Sequence, residues 1–165
     1  HGEAWRFCRL GRAIETADWI DTRLRDPATG LIWDGLRPDP AGGTLFERTV
    51  YTYCQGVVLG ADTELALAAP ERERFVARVS RLVAAVDTRL AAGGVLSGHA
   101  GGDSGLFGGI LARYLALVAD RLPGTDDAAE LARRVGDYAA LADVAREKAD
   151  PVSFLAGLIA ARTGA

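Results

Sequence analysis

Three stretches of this chain are apolar nearly all the way round: VVLGADTELALA (57–68), LFGGILARYLALVA (106–119) and VSFLAGLIAA (152–161). A helix that is apolar on every side must be covered on every side. The segments between them are amphipathic. In 71–90, Phe75, Val79, Leu82, Val86 and Leu90 recur at helical spacing, with Arg74, Arg78, Arg81 and Arg89 on the remaining surface. In 5–24 the stripe is Leu10, Ala13, Ala17, Ile20 and Leu24; in 127–146 it is Leu131, Val135, Tyr138, Ala142 and Ala145. The expectation is an all-α chain of six helices, alternately outer and inner. The inner helices lie near 53–68, 104–122 and 151–163, the last opening with Asp150-Pro151, a capping residue followed by proline at the first helical position.

The connections alternate as well. The inner-to-outer links, Ala69-Pro70 and Pro123 to Asp126, are short, whereas the outer-to-inner links, 25–51 and 91–103, are long. The long loops therefore gather on the face where the inner helices begin, and sites concentrate on loops held by a rigid scaffold. A faint repeat supports helix pairs as the unit. DTRLRDPATGLIWDG (21–35) is echoed by DTRLAAGGVLSGH (87–99), and each precedes an inner helix with paired glycines, Gly56 and Gly60, then Gly105 and Gly109. Three such pairs make about half of a closed six-pair ring, an (α/α)6 toroid, within a single all-α domain or domain fragment spanning 1–165.

Composition excludes several classes. A net charge of -3 gives no reason to expect nucleic acid. No apolar run reaches the ~20 residues that span a bilayer. Two cysteines, Cys8 and Cys54, and two histidines, His1 and His99, stand in no metal-ligand spacing, so neither a metal nor a cofactor is expected. The chain contains no methionine, which points to a processed chain or a fragment.

Several residues on the loop-rich face could carry chemistry, each with a plainer alternative. Thr52 and Gln55 fit a capping box; equally, Tyr51, Tyr53 and Gln55 could line a polar pocket at an inner-helix start. Asp103 stands where a helix N-cap belongs, inside the glycine-rich HAGGDSG (99–105), which would let backbone approach a ligand. Trp33 and Asp34 pair an aromatic face with a carboxylate, a combination suited to sugars, although the indole could simply plug the helix stack. Asp126-Asp127 would tempt a search for two catalytic carboxylates, but Asp127 and Glu130 read as the acidic first turn of a helix, on the face opposite the candidate pocket. Trp5 and Trp19 read as outer-helix packing.

DPATGLIWDGLRPD, RTVYTYCQGVVLGADTEL and GGDSGLFGGILARYLALVAD resemble, in order and spacing, the C-terminal half of glycoside hydrolase family 76, the endo-α-1,6-mannanases and their bacterial relatives. The resemblance covers about residues 15–120. It implies an (α/α)6 toroid and an α-mannan-type sugar cleft, with Trp33, Asp34, Arg48, Tyr51, Tyr53, Gln55, Asp103 and Phe107 positioning substrate. The family's catalytic pair is two adjacent aspartates on an inner helix earlier in the chain. It has no counterpart here, so no catalytic residue is assigned, and the isolated chain is expected to be inactive. Cys54 stands where the family has asparagine, and Gly108 where it has lysine. The reading is a fragment of a glycoside hydrolase that contributes one cleft wall, with a carbohydrate partner and either a missing N-terminal half or a second copy of the chain completing the ring. The alternative is a non-catalytic carbohydrate-binding or structural helical module that dimerises.

Overall fold

The computed structural model describes residues 2–91, 96, 104–122, 124, 126–127 and 129–131, with the side chains of 2–8, 104 and 105 left aside. The expected inner helix 151–163, most of the fifth helix, and Asp103 lie outside the described residues.

Four long helices stand where the apolar periodicity placed them: α1 (Gly2–Arg23), α2 (Thr52–Ala68), α3 (Arg72–Arg89) and α4 (Ser104–Arg121). α2 packs against α1, α3 and α4, which makes it an inner helix of the described part. The α3 stripe is buried as expected at Phe75, Val79, Leu82 and Val86, and each such side chain contributes about 1.5–3 kcal/mol of hydrophobic stabilisation. On α4 the buried line is Leu111, Leu115 and Val118, continuing to Leu122. The α1 stripe is shifted slightly. Ala13 is exposed, and Ile14 packs against the core in its place. Trp19, expected to pack, is 47% exposed.

The paired glycines of α2 explain how two inner helices come so close. A Cβ at Gly56 would stand 3.0 Å from the Leu111 Cα and 3.1 Å from the Ile110 carbonyl oxygen; one at Gly60 would overlap the Tyr114 ring. Glycine at these positions lets α2 and α4 meet backbone to backbone at Gly56 and backbone to ring at Gly60. At Gly109 of α4, among the described residues, no atom lies within 4 Å of where a Cβ would stand.

One feature departs from an all-helical reading. The long loop after α1 contains an antiparallel hairpin, β1 (Gly35–Pro38) and β2 (Thr44–Glu47), with Leu36 opposite Phe46 and Gly35 opposite Glu47. Its turn is closed by Asp39, whose carbonyl accepts from the Gly42 amide (2.9 Å) and whose carboxylate accepts from the Ala41 amide (2.9 Å). Gly42 and Gly43 take φ near +97° and +98°, a region open to glycine. The stretch GLIWDG (30–35) thus leads into β1. Before it, Asp26 caps a tight turn through the Thr29 hydroxyl (2.7 Å) and the Ala28 amide (3.0 Å), with Gly30 at φ 77°. The turn returns the chain beside α1, where Arg25 bridges to Ile32.

Charges tie α1, α2 and α3 together, with Arg78 and Asp62 buried and Asp18 and Arg74 partly exposed. Buried Arg78 reaches Asp18 (2.6 Å) and Asp21 (3.2 Å), and Arg74 joins Asp18 (2.9 Å). Asp62 of α2 lies 4.0 Å from Arg78 and makes no hydrogen bond to it. Burial pushes the Asp62 carboxyl up to about 6 against the pull of Arg78. Around Asp18 burial also works to raise the pKa, but the hydrogen bonds from Arg78 and Arg74 outweigh it and hold the carboxyl below the ordinary aspartate value.

Candidate functional site

The site is built where α2 and α4 begin. Tyr51 is the N-cap of α2, in extended backbone, and no side chain caps the helix. The capping box expected from Thr52 and Gln55 is therefore not formed. Gln55 is fully buried, and its amide joins the Ile32 segment to the N-cap residue of its own helix. Its Oε1 accepts from the Ile32 amide (2.8 Å), and its Nε2 donates to the carbonyls of Ile32 (2.8 Å) and Tyr51 (2.8 Å). With its amide oxygen and both N–H groups bonded to backbone, the fully buried Gln55 lies beneath the surface of the site, not on it.

That anchoring holds the chain that carries Trp33 and Asp34. The Trp33 amide donates to the Leu24 carbonyl (2.9 Å), and the Asp34 amide to the Thr49 carbonyl (2.9 Å). From this backbone the two side chains join different neighbours. The exposed Asp34 carboxylate accepts from the Tyr53 hydroxyl (2.6 Å) and, more weakly, from the Cys54 thiol (3.7 Å). The hydrogen bond to Asp34 favours the protonated phenol and drives the Tyr53 pKa well above its usual value. Burial, together with the negative charge of Asp34, pushes the Cys54 thiol up to about 11. At neutral pH both groups are therefore donors aimed at one carboxylate.

The aromatic rings continue from there. Tyr53 stacks on Tyr51 with centroids 5.6 Å apart, and Phe107, from the first turns of α4, closes on Tyr53 at 4.7 Å and on Tyr51 at 5.6 Å. The starts of two inner helices thus meet in a three-ring cluster beside a carboxylate. Trp33 belongs to a second group. It meets Phe46 of β2 edge-on at 5.8 Å, and the Arg48 guanidinium lies 5.1 Å from its ring centroid. Arg23 lies 5.9 Å from the Phe46 ring. Phe46 was missed in the sequence; Gly42-Gly43 followed by Leu45-Phe46 was the available signal for a hairpin carrying it.

Asp126 and Asp127 are exposed helical residues beyond the C-terminal end of α4, about 25 Å along that helix from its start. They take no part in the cluster. Among the described residues no three His, Cys, Asp or Glu side chains gather to hold a metal ion, and no described helix is long and apolar enough to cross a membrane.

The sequence model of glycosyl hydrolase family 76 matches residues 10–150. The chain belongs to this family. Comparison with curated protein sequences gave no significant match. Among solved structures, the family 76 chain is similar to an α-1,6-mannanase from Salegentibacter sp. HEL1_6, with a TM-score of 0.69 and 29% identity over 79% of this chain and 39% of that one. An inactive variant of that mannanase, with two consecutive aspartates replaced by alanine, has been solved with α-1,6-mannotetrose and matches equally well. A family 76 glycoside hydrolase from a bovine Bacteroides thetaiotaomicron strain shares the fold at a TM-score of 0.60 and 19% identity, over 75% of this chain and 28% of that one. The all-α architecture is that of the family and its neighbours. The family 76 chain spans 39% of the length of the mannanase it matches.

Proposed function

We propose that this chain forms one wall of an α-1,6-mannan-type glycan cleft in a family 76 glycoside hydrolase, with the catalytic aspartates outside these 165 residues. The observation that carries the reading is the cluster at the starts of α2 and α4. There Asp34, held by Tyr53 at 2.6 Å, adjoins the rings of Tyr51, Tyr53 and Phe107. Aromatic faces receive the C–H face of a pyranose, and the carboxylate receives its hydroxyls. Trp33 and Arg48 extend the wall toward the hairpin, and Asp103 is assigned to the same rim on the family pattern alone.

Hydrolysis of a glycosidic bond requires two carboxyl groups flanking it, and the cluster contains one, Asp34. The Salegentibacter relative supports the division of labour, since its inactive variant lacks two consecutive aspartates and has been solved with a mannotetrose. Here Asp34 and the rings orient substrate, and the acid/base work belongs to residues outside the chain. Saturation-transfer NMR with α-1,6-mannotetraose tests the reading. Irradiating the aromatic protons transfers magnetisation to the sugar ring protons, and replacing Tyr53 and Phe107 by alanine abolishes it. Absence of transfer in the unaltered chain contradicts the cleft. Turnover of α-1,6-mannan by the purified chain contradicts the assignment of catalysis elsewhere.

A further inference from the structure

We infer that Gln55 is a positioning residue of the glycan cleft: through its buried amide it sets the segment carrying Trp33 and Asp34 in register with the segment carrying Tyr51 and Tyr53. The inference rests on the cleft reading above for its functional consequence, and on hydrogen-bond geometry for its structural part.

A primary amide offers one acceptor oxygen and two N–H donors. In Gln55 all three directions are used, and they are used on two separate pieces of chain. With Ile32 the side chain behaves as a strand neighbour does, accepting from the amide and donating to the carbonyl of the same residue, each at 2.8 Å. The remaining N–H goes to the Tyr51 carbonyl at 2.8 Å. Ile32 is 2% exposed and directly precedes Trp33 and Asp34; Tyr51 directly precedes α2. The Asp34–Tyr53 hydrogen bond joins side chains two residues beyond each anchored point. One rigid amide therefore fixes the separation across which that bond is made.

No other residue type supplies this pattern at this length. Methionine matches the volume without donors or acceptor. Glutamate keeps an acceptor for the Ile32 amide but points a carboxylate oxygen at two carbonyls. A packing role alone would tolerate methionine, because volume-conserving changes in a core are the best tolerated. A positioning role would not.

The test is a double-mutant cycle on the full 165-residue chain, read by calorimetric titration with α-1,6-mannotetraose and by circular dichroism. Gln55→Met and Gln55→Glu are expected to retain the helical spectrum and weaken binding about tenfold. In an Asp34→Ala background, where the positioned carboxylate is gone, the same changes are expected to alter affinity by no more than about twofold, since coupled residues are non-additive. A second readout needs no glycan. With 13C-labelled tyrosine, the Cζ resonance of Tyr53 moves in Gln55→Met toward that of Tyr53 in Asp34→Ala, reporting loss of the Asp34 bond. Unchanged affinity in both variants, an equal loss in the Asp34→Ala background, an unmoved Tyr53 resonance, or collapse of the fold in both variants would each overturn the inference. Failure of the unaltered chain to bind mannotetraose, with the Tyr53 resonance still shifting in Gln55→Met, removes the cleft reading and leaves the register role standing.

Discussion

The Tyr53 hydroxyl and the Asp34 carboxylate, 19 positions apart in sequence, meet at 2.6 Å. This bond joins a loop to the start of an inner helix, and the aromatic rings around it come from two such helices. Tyr53→Phe keeps the stack with Tyr51 and Phe107 and removes only the hydroxyl. A single intramolecular hydrogen bond contributes about 0.5–1.5 kcal/mol to stability, so the variant is expected to unfold at slightly lower temperature, and affinity for α-1,6-mannotetraose to fall as Asp34 loses its fixed position. Equal affinity, measured by titration, would separate the bond from glycan binding.

The close approach of α2 and α4 depends on Gly60. Alanine there gains up to about 1 kcal/mol of helix propensity but drives a methyl group into the Tyr114 ring. Overpacking of this kind costs about 1–3 kcal/mol, so Gly60→Ala is expected to destabilise the chain in urea unfolding. In a Tyr114→Ala background the same change becomes neutral or stabilising. Destabilisation of equal size in both backgrounds would show that the contact is not the cause.

Asp62 gives the fold a pH signature. Its folded-state pKa, raised to about 6 by burial, lies above the ordinary value of 3.8. The folded chain therefore holds a proton that the unfolded chain has released, and stability falls as pH rises from about 4 to about 6. A shift of about two units corresponds to about 3 kcal/mol. The unfolding free energy of the wild type is expected to drop by about that amount relative to Asp62→Asn across this window, then to run parallel above it. Parallel curves throughout would place Asp62 in a hydrated environment.

Cys54 is expected to be sluggish toward alkylation. A thiol held near 11 instead of its ordinary 9.0 carries about 100-fold less thiolate at pH 8. Iodoacetamide labelling, followed by mass spectrometry of the peptide containing Cys54, reads this directly; labelling as fast as a free thiol would contradict the burial.

Much of this architecture was legible in the chain. The apolar stripes located the helices because core burial selects residues at helical spacing, and Phe75, Val79, Leu82 and Val86 are buried as that spacing demands. What failed was local reasoning about groups whose partners are distant. Thr52 and Gln55 look like a cap, yet the Gln55 oxygen takes its hydrogen bond from Ile32, 23 residues earlier. Arg78 reads as part of a solvated helix face, yet it is buried against Asp18 and Asp21 of another helix. The hairpin escaped because its strands have four residues each, too short for alternation to register, and only Gly42-Gly43 marked the turn. Of the residues that the family resemblance named, the fold brings Asp34, Tyr51, Tyr53 and Phe107 together and gathers Trp33 and Arg48 instead with Phe46.

The central claim is that the starts of α2 and α4 form a wall for an α-1,6-linked mannan. Calorimetric titration of α-1,6-mannotetraose into the chain and into its Asp34→Ala variant tests it most directly. Saturable binding by the chain and a loss of at least about tenfold in the variant are expected. Absence of binding, or equal binding by both, would contradict it.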